Sequence, residues 1–215
     1  MLEKNEILKN NKLQWILIFL LITIFGFLVR FYLFEDRNSW HDEWHSIYVS
    51  DPNISNIETL KRFWGEKGSE KLTEYYPPLY LFLLKFFFKL FGYVDDIGRL
   101  FSVFFGTLSI TLSMYLVTYF EKSKKLVIFV GLLVSFNLFL IWQSLEIRAH
   151  SLVVFSVLLN LCLFFEVLKS PKKILLFFYF LVSLFSLSLW PISGLIFLGK
   201  IIYLAKDMYI KKKFY

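Results

Sequence analysis

The sequence predicts an all-α protein whose helices cross a membrane several times. Of its 215 residues, 57% are hydrophobic, and the mean hydropathy is +0.59. A soluble domain of this length cannot bury so much apolar surface in one core. The apolar segments are long and are separated by short groups of lysines, which is the pattern of membrane helices joined by turns.

The net charge of +7 follows from those lysine groups. The lysines cluster at residues 4–12, 122–125, 169–173 and 206–213 and do not form one basic face or arm. This distribution is typical of cytoplasmic turns and argues against a nucleic-acid partner. Cys162 is the single cysteine and lies inside an apolar run, so no disulfide framework is expected.

The order of apolar runs and lysine groups predicts a transmembrane module over residues 13–206. Residues 1–12 form a cytoplasmic N-terminus, and residues 207–215 form a cytoplasmic tail, where a truncated chain is one interpretation. The first run is longer than a signal-peptide core and has no small-residue cleavage site after it. Six spans are predicted, at residues 13–34, 99–120, 126–142, 150–168, 174–190 and 192–206.

Two of these spans carry a basic residue within the apolar run. Arg30 lies near the outer end of the first span, and we expect it to snorkel to the interface. Lys200 falls within the last span, where a charge is tolerated near a helix end or facing the bundle interior.

Residues 35–98 form the predicted outer loop, which contains two juxtamembrane helices. Residues 78–91 make a helix of about 20 Å, too short for a hydrocarbon core of about 30 Å. Lys85 and Lys89 lie one turn apart on it, and we expect both to snorkel at the outer interface. The apolar spacing from Ile54 to Trp64 predicts the second helix.

With the lysine groups in the cytosol, the unusual polar residues all lie at the opposite membrane face. The set comprises His41, Asp42, Glu43, Tyr76, Arg99, Glu146, Arg148 and His150. Loops held by a rigid helical scaffold are where functional sites are usually built. We therefore predict a site at the extracytoplasmic end.

The acidic pair Asp42 and Glu43 stands between Trp40 and Trp44. Carboxylates in such a partly apolar setting suit a general base, although solvated loop charges beside an aromatic belt fit the same residues. His41 and His45 have the spacing of a zinc-protease motif, but Asp42 stands where that motif has glutamate. A divalent metal held by His41 with Asp42 or Glu43 remains an open interpretation.

Five short motifs occur in an order that resembles the GT-C superfamily of membrane glycosyltransferases. They are Trp40-x-Asp42-Glu43, Pro77-Pro78-Leu79-Tyr80, Gly98-Arg99-Leu100-Phe101-Ser102, Phe105-Gly106-Thr107-Leu108 and Gln143-Ser144-Leu145-Glu146-Ile147-Arg148. The resemblance is to the protein O-mannosyltransferase and aminoarabinose-transferase branch. It runs from about Leu13 to Leu198 and covers only the N-terminal part of the longer family members.

This resemblance implies transfer of a sugar from a polyprenyl-phosphate carrier in the membrane lipid to an acceptor glycan, lipid or protein. Asp42 matches the family's first-loop aspartate, which serves as the base or orients the acceptor. Glu43 matches its partner, and Arg148 matches an arginine near the carrier phosphate. Tyr76 is a further candidate substrate contact. It departs from the family, in which histidine or lysine often precedes the prolines, so the resemblance does not carry a phosphate or metal contact over to it.

The remaining polar residues are candidate substrate contacts with structural alternatives. Arg99 and Lys85 are further candidates for a leaving phosphate, and each also suits anchoring of its own helix. Glu146 is a candidate substrate contact, or with Arg148 a structural pair in a tight turn.

Two other classes of function remain. One is a non-catalytic membrane protein, or incomplete fragment, that binds a lipid phosphate or a partner transferase. The other is a small transporter or flippase, which the scarcity of charges deep in the spans argues against.

Overall fold

The computed structural model describes the backbone of residues 2–34, 39–65 and 77–213, and the side chains of residues 12–34, 39–65 and 77–206. Every regular element in these ranges is helical, which confirms the all-α class. The helices are α1 Leu2–Tyr32, α2 His41–Val49, α3 Asn56–Trp64, α4 Leu79–Phe91, α5 Asp95–Val117, α6 Lys124–Phe136, α7 Leu138–Leu145, α8 His150–Lys169, α9 Lys173–Leu189 and α10 Leu195–Lys213, with a short 3₁₀ turn at Pro191–Gly194 before α10.

Three helical segments in the described part of the chain are long and apolar enough to cross a membrane: Lys12–Tyr32, Asp95–Val117 and His150–Lys169. Helices α6 and α7 together make a fourth if the pair, bent by 54°, is one span. These segments overlap the first four predicted spans in sequence, and their crossing of a membrane stays a prediction. Helix α9 is apolar but has 17 residues, about 26 Å at 1.5 Å per residue. The six-span topology as a whole stays a prediction.

Side chains bond to backbone groups on both sides of the bend between α6 and α7. Asn137 caps the start of α7, where its side-chain oxygen accepts a hydrogen bond from the Leu140 amide at 3.0 Å. The carbonyls at the end of α6 have no partners within that helix. The Arg30 guanidinium donates to two of them, Ser135 at 3.4 Å and Val134 at 3.5 Å.

The prediction that Arg30 snorkels is wrong. Its side chain is fully buried and also donates through Nε to Ser144 Oγ at 3.1 Å and through Nη1 to the Gly26 carbonyl at 3.1 Å. Because α6 ends beside α1, its carbonyls offer the guanidinium a polar environment without water. Arg30 thus joins α1 to both halves of the bent pair.

Close packing of α5 against α7 depends on a residue without a side chain. A Cβ atom at Gly106 would lie 2.1 Å from Ser144 Oγ and 2.8 Å from Ser144 Cβ. Glycine is therefore required for the two helices to approach at this point.

Helix α4 confirms the prediction of a short helix at residues 78–91, and its position at the outer membrane interface stays a prediction. Tyr80, Leu81, Leu84 and Phe88 are buried in a core shared with α2, α3, α5, α8 and α9. The predicted second helix is also present as α3, which buries Phe63 in the same core. This core fixes α2 and α3 at one end of the bundle.

The prediction that Lys85 snorkels is wrong as well. Lys85 is only 8% exposed. Its ammonium donates to the Ile54 carbonyl at 2.8 Å, to Asn56 Oδ1 at 3.2 Å and to Thr59 Oγ1 at 2.9 Å. The three acceptors lie in the first turn of α3 or just before it. Lys85 therefore attaches α3 to α4.

Lys200 follows the second of its two predicted alternatives and faces the bundle interior. Its ammonium bonds to Asn160 Oδ1 and to the Tyr179 hydroxyl, and lies 4.8 Å from the ring centroids of Tyr179 and Phe197. A cation–π environment of this kind compensates part of the lost hydration. Lys200 thereby ties α10 to α8 and α9.

Candidate functional site

Helix α2 begins at His41 and places Asp42 and Glu43 in its first turn. The Trp40 amide donates to Glu43 Oε2 at 3.3 Å, which closes the start of the helix. Consecutive residues of a helix point about 100° apart. The Glu43 side chain is accordingly 4% exposed and the Asp42 side chain 48% exposed.

Glu43 is held by groups from three separate parts of the chain. Its Oε1 atom accepts a hydrogen bond from the Ile147 amide at 2.9 Å and lies 3.6 Å from Arg99 Nε. Both charged side chains of this ion pair are almost completely buried, with Arg99 3% exposed. The Glu43 carboxylate therefore connects α2 with α5 and with the turn before α8.

Arg99 continues this polar network toward the start of α5. Its Nη2 atom donates to Ser39 Oγ at 3.0 Å, and the Ser39 hydroxyl donates to Asp95 Oδ2. Sequence reasoning missed Ser39 and Asp95. Asp95 is an acidic residue in the first turn of a helix. Many acidic surface residues have this position, so it did not single out Asp95 as part of the site.

Asp42 forms the exposed part of the cluster. Its Oδ2 atom lies 3.5 Å from Arg148 Nη1, and the same nitrogen donates to the Asp42 backbone carbonyl at 3.5 Å. The Arg148 side chain is 16% exposed. A half-exposed carboxylate thus stands directly beside a guanidinium that also reaches the surface.

Four of the predicted site residues therefore come together: Asp42, Glu43, Arg99 and Arg148. Glu146 lies in the same turn as Arg148 and is 9% exposed. His150 begins α8, and its ring centroid lies 5.4 Å from that of Trp190. The contacts of Lys85 are instead with the start of α3. Tyr76 lies outside the described residues.

The described residues do not assemble a metal centre. No group of three His, Cys, Asp or Glu side chains converges in the part of the chain that the structure describes. His41 Nδ1 lies 3.9 Å from Asp42 Oδ1, and the His41 side chain is 74% exposed. Glu43 is already engaged by Arg99 and backbone amides. The residues predicted for a divalent cation thus do not fit one as a set.

The cluster consists of a buried and an exposed layer. The inner layer is the buried pair Glu43–Arg99, whose charges are satisfied within the protein. The outer layer is the exposed pair Asp42–Arg148, in which the carboxylate accepts protons or hydrogen bonds and the guanidinium suits a phosphate. The inner layer holds the outer one in place.

The described residues form a helical bundle with three or four candidate membrane-crossing segments. An acid–guanidinium cluster lies at one end of this bundle. No protein family, curated protein or solved structure matches this chain.

Proposed function

We propose that the protein is a membrane glycosyltransferase that moves a sugar from a polyprenyl-phosphate carrier to an acceptor hydroxyl at the extracytoplasmic face. The observation that carries the proposal is the pairing of half-exposed Asp42 with Arg148 at 3.5 Å. The order of short motifs, which resembles GT-C transferases, supplies the substrate class.

Asp42 acts as the base in this proposal. The acceptor oxygen attacks the anomeric carbon, and its proton passes to the Asp42 carboxylate. The bond between the anomeric carbon and the phosphate oxygen breaks, and the polyprenyl phosphate leaves with the electron pair. Positioned proton transfer of this type contributes about 10²–10⁴-fold to rate.

Arg148 binds the carrier phosphate. The leaving phosphate is an anion, so it needs positive charge more than it needs a general acid. Arg148 stands beside the base, which brings the acceptor and the donor phosphate to one place. Glu43 and Arg99 are positioning residues here, because their charged groups are buried against each other.

The proposal is tested with the full chain reconstituted in proteoliposomes. Polyprenyl-phosphate hexoses and pentoses, radiolabelled in the sugar, serve as donors for a membrane extract that contains glycan, lipid and protein acceptors. Transfer is followed as label leaving the donor lipid, and binding is measured separately with radiolabelled polyprenyl phosphate. Asp96→Asn is the matched control for Asp42→Asn, because Asp96 is an exposed acid at the start of α5.

We expect Asp42→Asn to lower transfer at least about 100-fold while binding changes little, because only the base is lost. Arg148→Ala should weaken polyprenyl-phosphate binding about tenfold or more, since it removes a charged hydrogen-bond donor. Unchanged transfer by Asp42→Asn would refute the assignment of the base. Binding without transfer by the wild-type chain would instead identify a non-catalytic lipid-phosphate protein, and absence of binding would reject the proposed substrate class.

A further inference from the structure

An apolar groove of about 440 Å³ lies on the surface of the bundle between α1 and α5. Its lining residues are Trp15, Ile16, Phe19, Leu20, Thr23 and Thr111. The two threonine hydroxyls are bonded to each other at 2.7 Å, so they satisfy one another and leave an apolar surface for an occupant. The groove therefore suits a hydrocarbon chain rather than a polar ligand.

Positive charge lies at one end of this groove. Lys124, at the start of α6, donates to Gln14 Oε1, and its ammonium lies 5.9 Å from the centroid of the Trp15 ring. Two exposed lysines lie close by in the sequence, Lys12 before Trp15 and Lys125 beside Lys124. From Trp15 the groove follows α1 to Thr23, about 12 Å at 1.5 Å per residue.

We propose that this groove binds an anionic phospholipid, with one acyl chain against α1 and α5 and the phosphate beside Lys124. The apolar lining complements the chain, and the lysines complement the headgroup charge. An indole ring at the junction of the two is the arrangement found where helices meet a membrane interface. The inference requires that the bundle is embedded in a membrane, and it is independent of sugar transfer.

A phospholipid fits this position better than the polyprenyl carrier of the proposed reaction. Trp15 and Arg30 are 15 residues apart on α1, or about 22 Å along the helix. Arg30 contacts Ser144 on α7, the helix that leads to the turn carrying Arg148. The groove therefore begins near the end of the bundle opposite Asp42. A lipid seated there leaves the Asp42–Arg148 pair open.

The test uses the full chain in phosphatidylcholine nanodiscs that contain a trace of photoreactive lipid. In separate samples the probe is phosphatidylglycerol, phosphatidylcholine or polyprenyl phosphate, each with a diazirine on the hydrocarbon chain. After illumination, mass spectrometry locates the labelled residues. We expect phosphatidylglycerol to label the groove residues of α1 more strongly than either other probe does.

Two variants test separately the charge of Lys124 and the shape of the groove. Lys124→Gln should reduce groove labelling by phosphatidylglycerol about fivefold, the contribution of one lysine near an anionic lipid. Leu20→Trp should reduce it by filling the groove while all charges remain. Lys172→Gln is the matched control, because Lys172 is an exposed lysine just before α9, a helix that packs mainly against α8.

Equal labelling by the two phospholipids would overturn the proposal, and so would labelling by phosphatidylglycerol that is unchanged in Lys124→Gln. Either result would show that the groove contacts membrane lipids without preference for an anionic headgroup. Stronger labelling by polyprenyl phosphate than by phosphatidylglycerol would overturn it in favour of the carrier. Neither result bears on the role of Asp42, which the transfer assay tests separately.

Discussion

The carboxylate of Glu43 accepts a hydrogen bond from the backbone amide of Ile147 at 2.9 Å, across 104 residues of sequence. The same oxygen lies 3.6 Å from Arg99 Nε. One buried side chain thus fixes α2, α5 and the turn before α8 relative to each other. Since Asp42 precedes Glu43 and Arg148 follows Ile147, this contact determines the geometry of the exposed pair.

Replacing Glu43 by glutamine should destabilise the protein by about 3 kcal/mol, because Arg99 is left buried without its counter-charge. Thermal and denaturant unfolding in a fixed detergent measure this loss. Glu58→Gln is the control. Glu58 pairs with Lys61 and Arg62 on a more exposed helix face, so its replacement should cost less than about 1 kcal/mol.

The double variant Glu43→Gln with Arg99→Met should recover much of that loss, since no uncompensated charge remains. If the single Glu43 variant is as stable as the Glu58 variant, the buried ion pair does not hold the site together.

Gly106→Ala should destabilise the packing of α5 against α7. The new methyl group would meet Ser144 at 2.1 Å, and overpacking of this kind costs about 1–3 kcal/mol. Gly199→Ala is the matched control, because no neighbouring atom lies within 4 Å of a Cβ at Gly199. The free energy of unfolding of Gly199→Ala should equal that of the wild type or exceed it by up to about 1 kcal/mol, because alanine has a higher helix propensity than glycine. Similar unfolding midpoints for both variants would contradict the close approach at Gly106.

Arg30→Met should weaken the bend between α6 and α7 because it removes the donors to Val134 and Ser135. Leaving buried acceptors unsatisfied costs about 1–3 kcal/mol. Hydrogen exchange should accelerate at the amides of the first turn of α7, and unfolding should occur at lower temperature. Lys61→Met, at a side chain that is 60% exposed, should change neither measurement. Unaltered exchange in the Arg30 variant would show that the bend is stable without the guanidinium.

Lys85 should make stability depend on pH. Burial lowers the pKa of its ammonium below the usual value of 10.5. Between the lowered pKa and 10.5 the unfolded chain binds more protons at this site than the folded chain, so stability rises with pH across that window. Lys85→Met should remove this contribution. The measurement is the difference in unfolding free energy between wild type and variant as pH increases. If the unfolding free energy of the wild type relative to Lys85→Met stays constant or falls as the pH increases, the lowered pKa of Lys85 is contradicted.

Helix positions were largely predictable because their signals are local. The predicted spans at residues 150–168 and 174–190 correspond to α8 at His150–Lys169 and α9 at Lys173–Leu189. The division of the span at residues 126–142 was not predicted. Its signal was Asn137, a good helix-capping residue inside an apolar run, but a single such residue does not reveal a bend of 54°.

The sequence by itself determined the all-α class, the apolar helices and the set of polar residues from which the site is built, because composition and spacing carry that information directly. Only the tertiary structure decided that Asp42 faces outward and Glu43 inward. The two acids are adjacent in the sequence and share the same neighbours, so the sequence pattern does not show which of them is buried. It also decided the positions of the charges of Arg30 and Lys85. On an isolated helix, a basic side chain extends toward water. Here, adjacent helix ends supply oxygen acceptors inside the protein, and both side chains are buried.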